Sequence, residues 1–217
     1  MSSNLSNTRN TNDCSYLQDK KVPSMIAPAD PDQSSFFVMA TGQIESASFP
    51  ANIDNLYCRY SLVSGLDWKI VSGIDTGITQ TSRKTTLNQP IIVWNFPIDI
   101  TLQSTNIQGW PRICISVYGL DWFGRDVVRG YGCLMCPTTP GHHVHHVHMY
   151  VPVSSSPWQR FMHFMNGSLP EFYDSRFVSR GEGRGVTRVK CEGTVKVILD
   201  VTTKGMQQLS YNVGSLK

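Results

Sequence analysis

Along residues 92–102 every even position is large and apolar: Ile92, Trp94, Phe96, Ile98, Ile100 and Leu102. The odd positions Asn95, Asp99 and Thr101 are polar. Successive side chains of a strand point to opposite faces, so this period of two predicts a long strand with one buried face. The same alternation recurs in Val38, Ala40 and Ile44, in Leu56, Cys58, Tyr60 and Leu62, in Ile113, Ile115 and Val117, and in Val147, Met149, Val151 and Val153. It is cleanest near the end, where Val189, Cys191, Val195, Val197, Leu199 and Val201 oppose Arg188, Lys190, Glu192, Lys196 and Asp200. Shorter runs at Trp68–Val71 and Val128–Leu134 bring the total to about eight strands, separated by turns rich in Gly and Pro. This is the signature of an all-β, antiparallel β-sandwich. Pro97 lacks an N–H and belongs at an edge or bulge, and Gly130 and Gly132 predict a bulge or a close backbone approach. One segment departs from the pattern. Ser156, Pro157, then Trp158, Phe161, Met162 and Met165, closed by Asn166-Gly167, predict one short crossover helix.

The 217 residues suit one domain plus a tail. Residues 1–34 are rich in Ser, Asn, Asp and Pro and predict a disordered tail. The folded domain is expected over 35–212, with 213–217 a short second tail. Charged residues are 16% of the chain and the net charge is +3, too small a basic excess to indicate nucleic acid. No apolar run is long enough for a membrane helix, and the first residues carry no secretory signal. The expected compartment is the cytoplasm, where the six cysteines are reduced thiols and several serve as small apolar strand residues.

The most conspicuous chemistry is GHHVHHVHMY, which holds His142, His143, His145, His146 and His148. On a strand, His142, His146 and His148 share one face, and His143 and His145 the other. Paired imidazoles on a strand can hold zinc or copper, and Cys133 and Cys136 lie just upstream at zinc-like spacing. A site drawing on Cys133, Cys136, His146 and His148 is one reading. An exposed polar strand, with the two cysteines turned separately into core and turn, is the other. A lone Cys-x-x-Cys lacks the second pair of a structural zinc signature, so no metal and no cofactor are expected. No nucleophile elbow or zinc-protease motif occurs, and Gly181–Gly185 lacks the ending of a phosphate loop, so no catalytic residues are assigned. Arg176, Arg180, Arg184 and Arg188 recur every four residues, but the intervening glycines exclude a stable helix. With Lys190 they form either ordinary solvated charge or a surface for anionic headgroups. Scattered aspartates without a paired loop argue against calcium. Trp122, Phe123 and Arg125 lie in a turn, either tucked into the rim or exposed as an anchor.

Several segments resemble the B9 domain family, a variant of the C2-type sandwich. They are Gly42–Ala47, Leu56–Cys58, Trp94–Asp99 (WNFPID), Ser104–Asn106, Gly109–Pro111, Ser116–Gly119, Asp126–Gly132, and Gly181–Arg184 ahead of Val186–Val189. The resemblance runs from about residue 36 to 212. It implies a non-enzymatic component of the ciliary transition zone, at the cilium base and its cytoskeleton. Its implied role is assembly of the cilium and gating of membrane-protein entry. The implied partners are other B9-domain proteins, namely B9 domain-containing protein 2 and the Meckel syndrome type 1 protein, and transition-zone membrane proteins. The competing expectation is a calcium-independent, anionic-lipid (phosphoinositide) binding module. A metalloenzyme built on the histidine run lacks a neighbouring carboxylate base.

Overall fold

In the computed structural model, which describes residues 35–50, 52–85, 90–121, 123–153 and 188–211, the alternating segments form nine strands. These are β1 (Phe36–Ser48), β2 (Leu56–Val63), β3 (Lys69–Gly73), β4 (Thr76–Ile78), β5 (Ile92–Ser104), β6 (Arg112–Leu120), β7 (Asp126–Met135), β8 (Gly141–Pro152) and β9 (Val189–Lys204). A single 3-10 turn, Gln207–Leu209, is the only helical element among the described residues. The expected crossover helix at 156–166 lies outside them.

The strands pair antiparallel in the order β3-β5-β1-β9-β8-β7-β6-β2-β4. The sheet curls into a half-barrel, so its two halves face each other. The turn-over point is the β7–β8 contact, where Tyr131 opposite Tyr150 is the one paired position, against a dozen between β8 and β9. Glycine makes that crossing possible. A Cβ on Gly130 would lie 2.7 Å from the Cβ of Met149, and one on Gly132 2.7 Å from Val147 Cγ1. Beside Gly130 the β6–β7 register slips by a residue, so both expected features, bulge and close approach, occur together.

Side chains from both halves fill the interior. Ile92, Trp94, Ile98, Ile100 and Leu102 of β5 are buried against β2 and β6, which bring Leu56, Cys58, Tyr60, Ile113, Ile115 and Val117. The three described indoles each donate to a backbone carbonyl of another segment: Trp94 to Leu56 (3.1 Å), Trp68 to Gln108 (2.8 Å) and Trp110 to Cys136 (2.8 Å). Trp68 also stands edge-on to Phe36 and to Trp110, at 5.5 and 5.1 Å between ring centres. A buried indole needs both its apolar surface covered and its N–H satisfied, and these positions meet both demands. Pro97 sits on the stretch of β5 that β3 does not reach, since β3 pairs only with Ile100–Gln103. Asn95, at φ 47°, marks the adjoining bulge against β1.

Candidate functional site

The histidine run forms the first half of β8. Its even positions, His142, Val144, His146, His148 and Tyr150, are exposed, and Val147 and Met149 are buried. His142 Nδ1 lies 2.7 Å from the Asp200 carboxylate directly across on β9. His143 Nε2 is 2.9 Å from the Thr139 carbonyl, and the His143 and His145 rings stack 6.0 Å apart. The Nε2 of His145 is sealed from solvent without a hydrogen-bond partner. Burial, with the neighbouring His143 and His146, pushes the His145 pKa below the usual imidazole range.

Cys136 is in the core cluster, and burial, then Cys133, pushes its thiol up to about 12. Cys133 is half-buried on β7, opposite Cys114 of β6. His146 and His148 project from the outer surface of β8, opposite Lys196 and Thr194 of β9. Among the described residues, no three His, Cys, Asp or Glu side chains converge as a metal would require. Thiolate is the metal-binding form of cysteine, and a thiol held protonated by burial is poorly suited to that role.

The β6–β7 turn is built on Asp121. One carboxylate oxygen accepts the backbone N–H of Phe123 and of Arg125, both at 2.8 Å, and the other accepts Arg125 Nε at 2.8 Å. Desolvation opposes ionisation there, but the Arg125 and Phe123 hydrogen bonds prevail and hold the Asp121 pKa below the ordinary carboxylate range. Phe123 is 62% exposed, with the Arg125 guanidinium 4.8 Å from its ring centre, and Leu120 is exposed beside it. Trp122 lies outside the described residues. Behind this tip is an open pocket of about 310 Å³ lined by Asn55, Tyr57, Thr81, Gly119, Leu120 and Asp126. Tyr57, Asp126 and Asn55 among its lining residues already have side-chain partners. The Tyr57 hydroxyl donates to Asp126, and Asn55 Oδ1 accepts Arg83 Nε at 2.9 Å. Burial, then the Asp126 hydrogen bond, pushes the Tyr57 pKa well above the ordinary phenol range, so it stays a neutral donor.

Of the basic candidates, Arg180 and Arg184 lie outside the described residues. Arg188 is exposed just before β9, and Lys190 is exposed with Glu192 at 3.3 Å. Of the two end strands of the sheet, β3 was anticipated in part by the Trp68–Val71 run, and β4 was not anticipated. β3 and β4 are joined by Ile74 and Asp75 alone, and along them Ile70, Val71, Ile74 and Ile78 are exposed. The available signal was Leu66, Trp68, Ile70 and Ile74 at even positions against Asp67, Lys69 and Asp75, an alternation that continues past Val71 toward β4.

Together these features define a class: an antiparallel, all-strand domain that uses its aromatics in packing and presents edges, a hairpin tip and an imidazole-bearing face outward. Residues 38–202 match the family described as ciliary basal body-associated, B9 protein (B9-C2). B9 domain-containing protein 1 of Xenopus laevis is 52% identical over 84% of this chain and 91% of the relative. The mouse protein of that name is 48% identical, covering 87% and 91%. B9 domain-containing protein 2 of Xenopus laevis is 31% identical, covering 80% and 96%. The chain belongs to the B9 family of ciliary basal body-associated proteins. Among solved structures, a C2 domain of plant extended synaptotagmin 1 aligns at a TM-score of 0.37 and 12% identity, covering 76% of this chain and 93% of that one.

Proposed function

We propose that this chain is a scaffold component of the ciliary transition zone, positioned at the basal body between cytoplasm, cytoskeleton and membrane. It assembles with other B9-domain proteins, B9 domain-containing protein 2 and the Meckel syndrome type 1 protein among them, and with transition-zone membrane proteins. The complex supports cilium assembly and gates membrane-protein entry. The observation that carries this reading is the family match from β1 to β9, which extends to relatives of two kinds with the same domain. The work is complementary burial, with specific interfaces of about 1,600 Å² in total. Tagged protein expressed in ciliated cells is expected to concentrate at the cilium base and to co-purify with other B9-domain chains. A diffuse distribution and a pulldown free of B9-domain proteins would contradict it.

A second reading rests on the hairpin tip. Exposed Leu120 and Phe123, with Arg125 and Arg83 nearby, suit shallow contact with an anionic, phosphoinositide-bearing bilayer. Flotation of the purified protein with such vesicles, weakened by added salt and by Phe123→Ala, supports this reading. Equal flotation with neutral vesicles contradicts it.

A further inference from the structure

We infer that the β3–β4 margin is the docking edge for an added β-strand from another B9-domain chain. This rests on the assembly reading above and assigns it a surface. Five of the thirteen exposed large apolar residues among the described residues fall between Leu66 and Ile78: Leu66, Ile70, Val71, Ile74 and Ile78. Their exposure runs from 45% at Ile70 to 102% at Leu66. This stretch contains both ends of the sheet: β3 pairs only with β5, and β4 only with β2.

The chemistry of such a margin selects its occupant. An edge strand carries a row of outward N–H and C=O groups, and another strand matches that row directly. A bilayer's apolar core cannot satisfy those groups, and a helix has already satisfied its own. Natural edges are usually protected by lysine, proline or strong charge. β3 carries one charged residue, Lys69, and no proline. Its bulge at Val71, between the Ile70 and Ser72 pairings with β5, turns one more apolar side chain outward. Charge favours a different chain over a second copy. Self-pairing in the antiparallel register centred on Val71, which keeps all of β3 paired, brings Asp67 of one copy to the end occupied by Asp75 of the other. Like charges opposite each other are destabilising. The fitting strand is apolar at its centre and carries Lys or Arg at its flanks. A strand as short as β3 spans about 17 Å, so Leu66, Ile74 and Ile78 supply the flanking contact that a stable interface needs.

The test is co-expression with a B9 domain-containing protein 2 relative, followed by size exclusion and hydrogen exchange of the complex against the free chain. Expected are slowed exchange at the Ile70–Gly73 amides on complex formation, and binding weakened about tenfold or more by the double substitution Val71→Lys/Ile74→Lys. An unchanged thermal midpoint and near-ultraviolet spectrum show that this variant is folded, and His146→Ala on the outer face binds like wild type. A complex that forms without β3 protection and tolerates the double substitution overturns the edge while leaving the assembly reading intact. A homodimer of the chain alone with protected β3 amides, or β3 protection by anionic vesicles alone, overturns the assigned occupant. Absence of any complex overturns both readings.

Discussion

His145 is one residue at which pH acts on this fold. Its ring is held neutral by burial beside two other imidazoles, so its folded pKa lies below the unfolded value of about 6.5. A depressed histidine contributes stability above the unfolded pKa, and that contribution is lost as pH falls through it toward the folded value. The thermal midpoint is therefore expected to drop as pH falls below the unfolded value of about 6.5, and His145→Leu should flatten that drop. An unchanged slope in the variant would show that another group carries the effect. Gly132 makes a second residue-scale case. Gly132→Ala places a methyl between Val147 Cγ1 and Met149 Sδ, at 2.7 and 2.8 Å, and should cost about 1–3 kcal/mol in denaturant unfolding. At Gly124 (φ 76°) an added Cβ meets nothing within 4 Å, so Gly124→Ala costs only its left-handed backbone, about 1 kcal/mol. A loss at Gly132 below about 1 kcal/mol would contradict the close approach of β7 and β8 described above.

At the scale of elements, the β6–β7 turn depends on one carboxylate. Asp121→Ala removes the acceptor of the Phe123 and Arg125 amides, so those amides should exchange faster with solvent while the β6–β7 ladder stays protected. Exchange spreading along β6 would mean that the turn and the ladder open together. This scale is also where the sequence was most and least readable. The alternation in β5 and in Val195–Val201 of β9 announced buried faces because each stretch has one side in the core, whereas Val189 and Cys191, expected on that same face, lie beyond the register shift against β8 and are exposed. Pro97 and the Gly130–Gly132 pair were legible for a related reason, since each lacks a group that an ordinary strand position needs. β4, three residues long with neither side buried, was not readable as an element, and of β3 only Lys69–Val71 was anticipated, within the Trp68–Val71 run. The outward histidines of β8 could be placed on a face, but only register with β9 shows that Asp200 stands opposite His142. The Tyr57–Asp126 pair, 69 residues apart, depends wholly on the sheet order.

For the whole molecule, two halves of one curled sheet enclose a continuous core, and the outward features are a tip, an imidazole face and an open margin. Trp94 ties the halves together, through its indole N–H on the Leu56 carbonyl and the Gln80 amide on its own carbonyl. Trp94→Phe removes one of the two donors to the Leu56 carbonyl, the Ser82 N–H remaining, and vacates the space of the larger ring, so it should lower global stability by about 1–3 kcal/mol with two-state unfolding retained. Such a core leaves function to the surface, and the proposed role assigns that surface to other B9-domain chains. Light scattering of this chain co-expressed with a B9 domain-containing protein 2 relative tests that claim most directly. A single peak with the mass of a stoichiometric heterocomplex is predicted. Two peaks at the masses of the separate monomers, at concentrations well above micromolar, would contradict it.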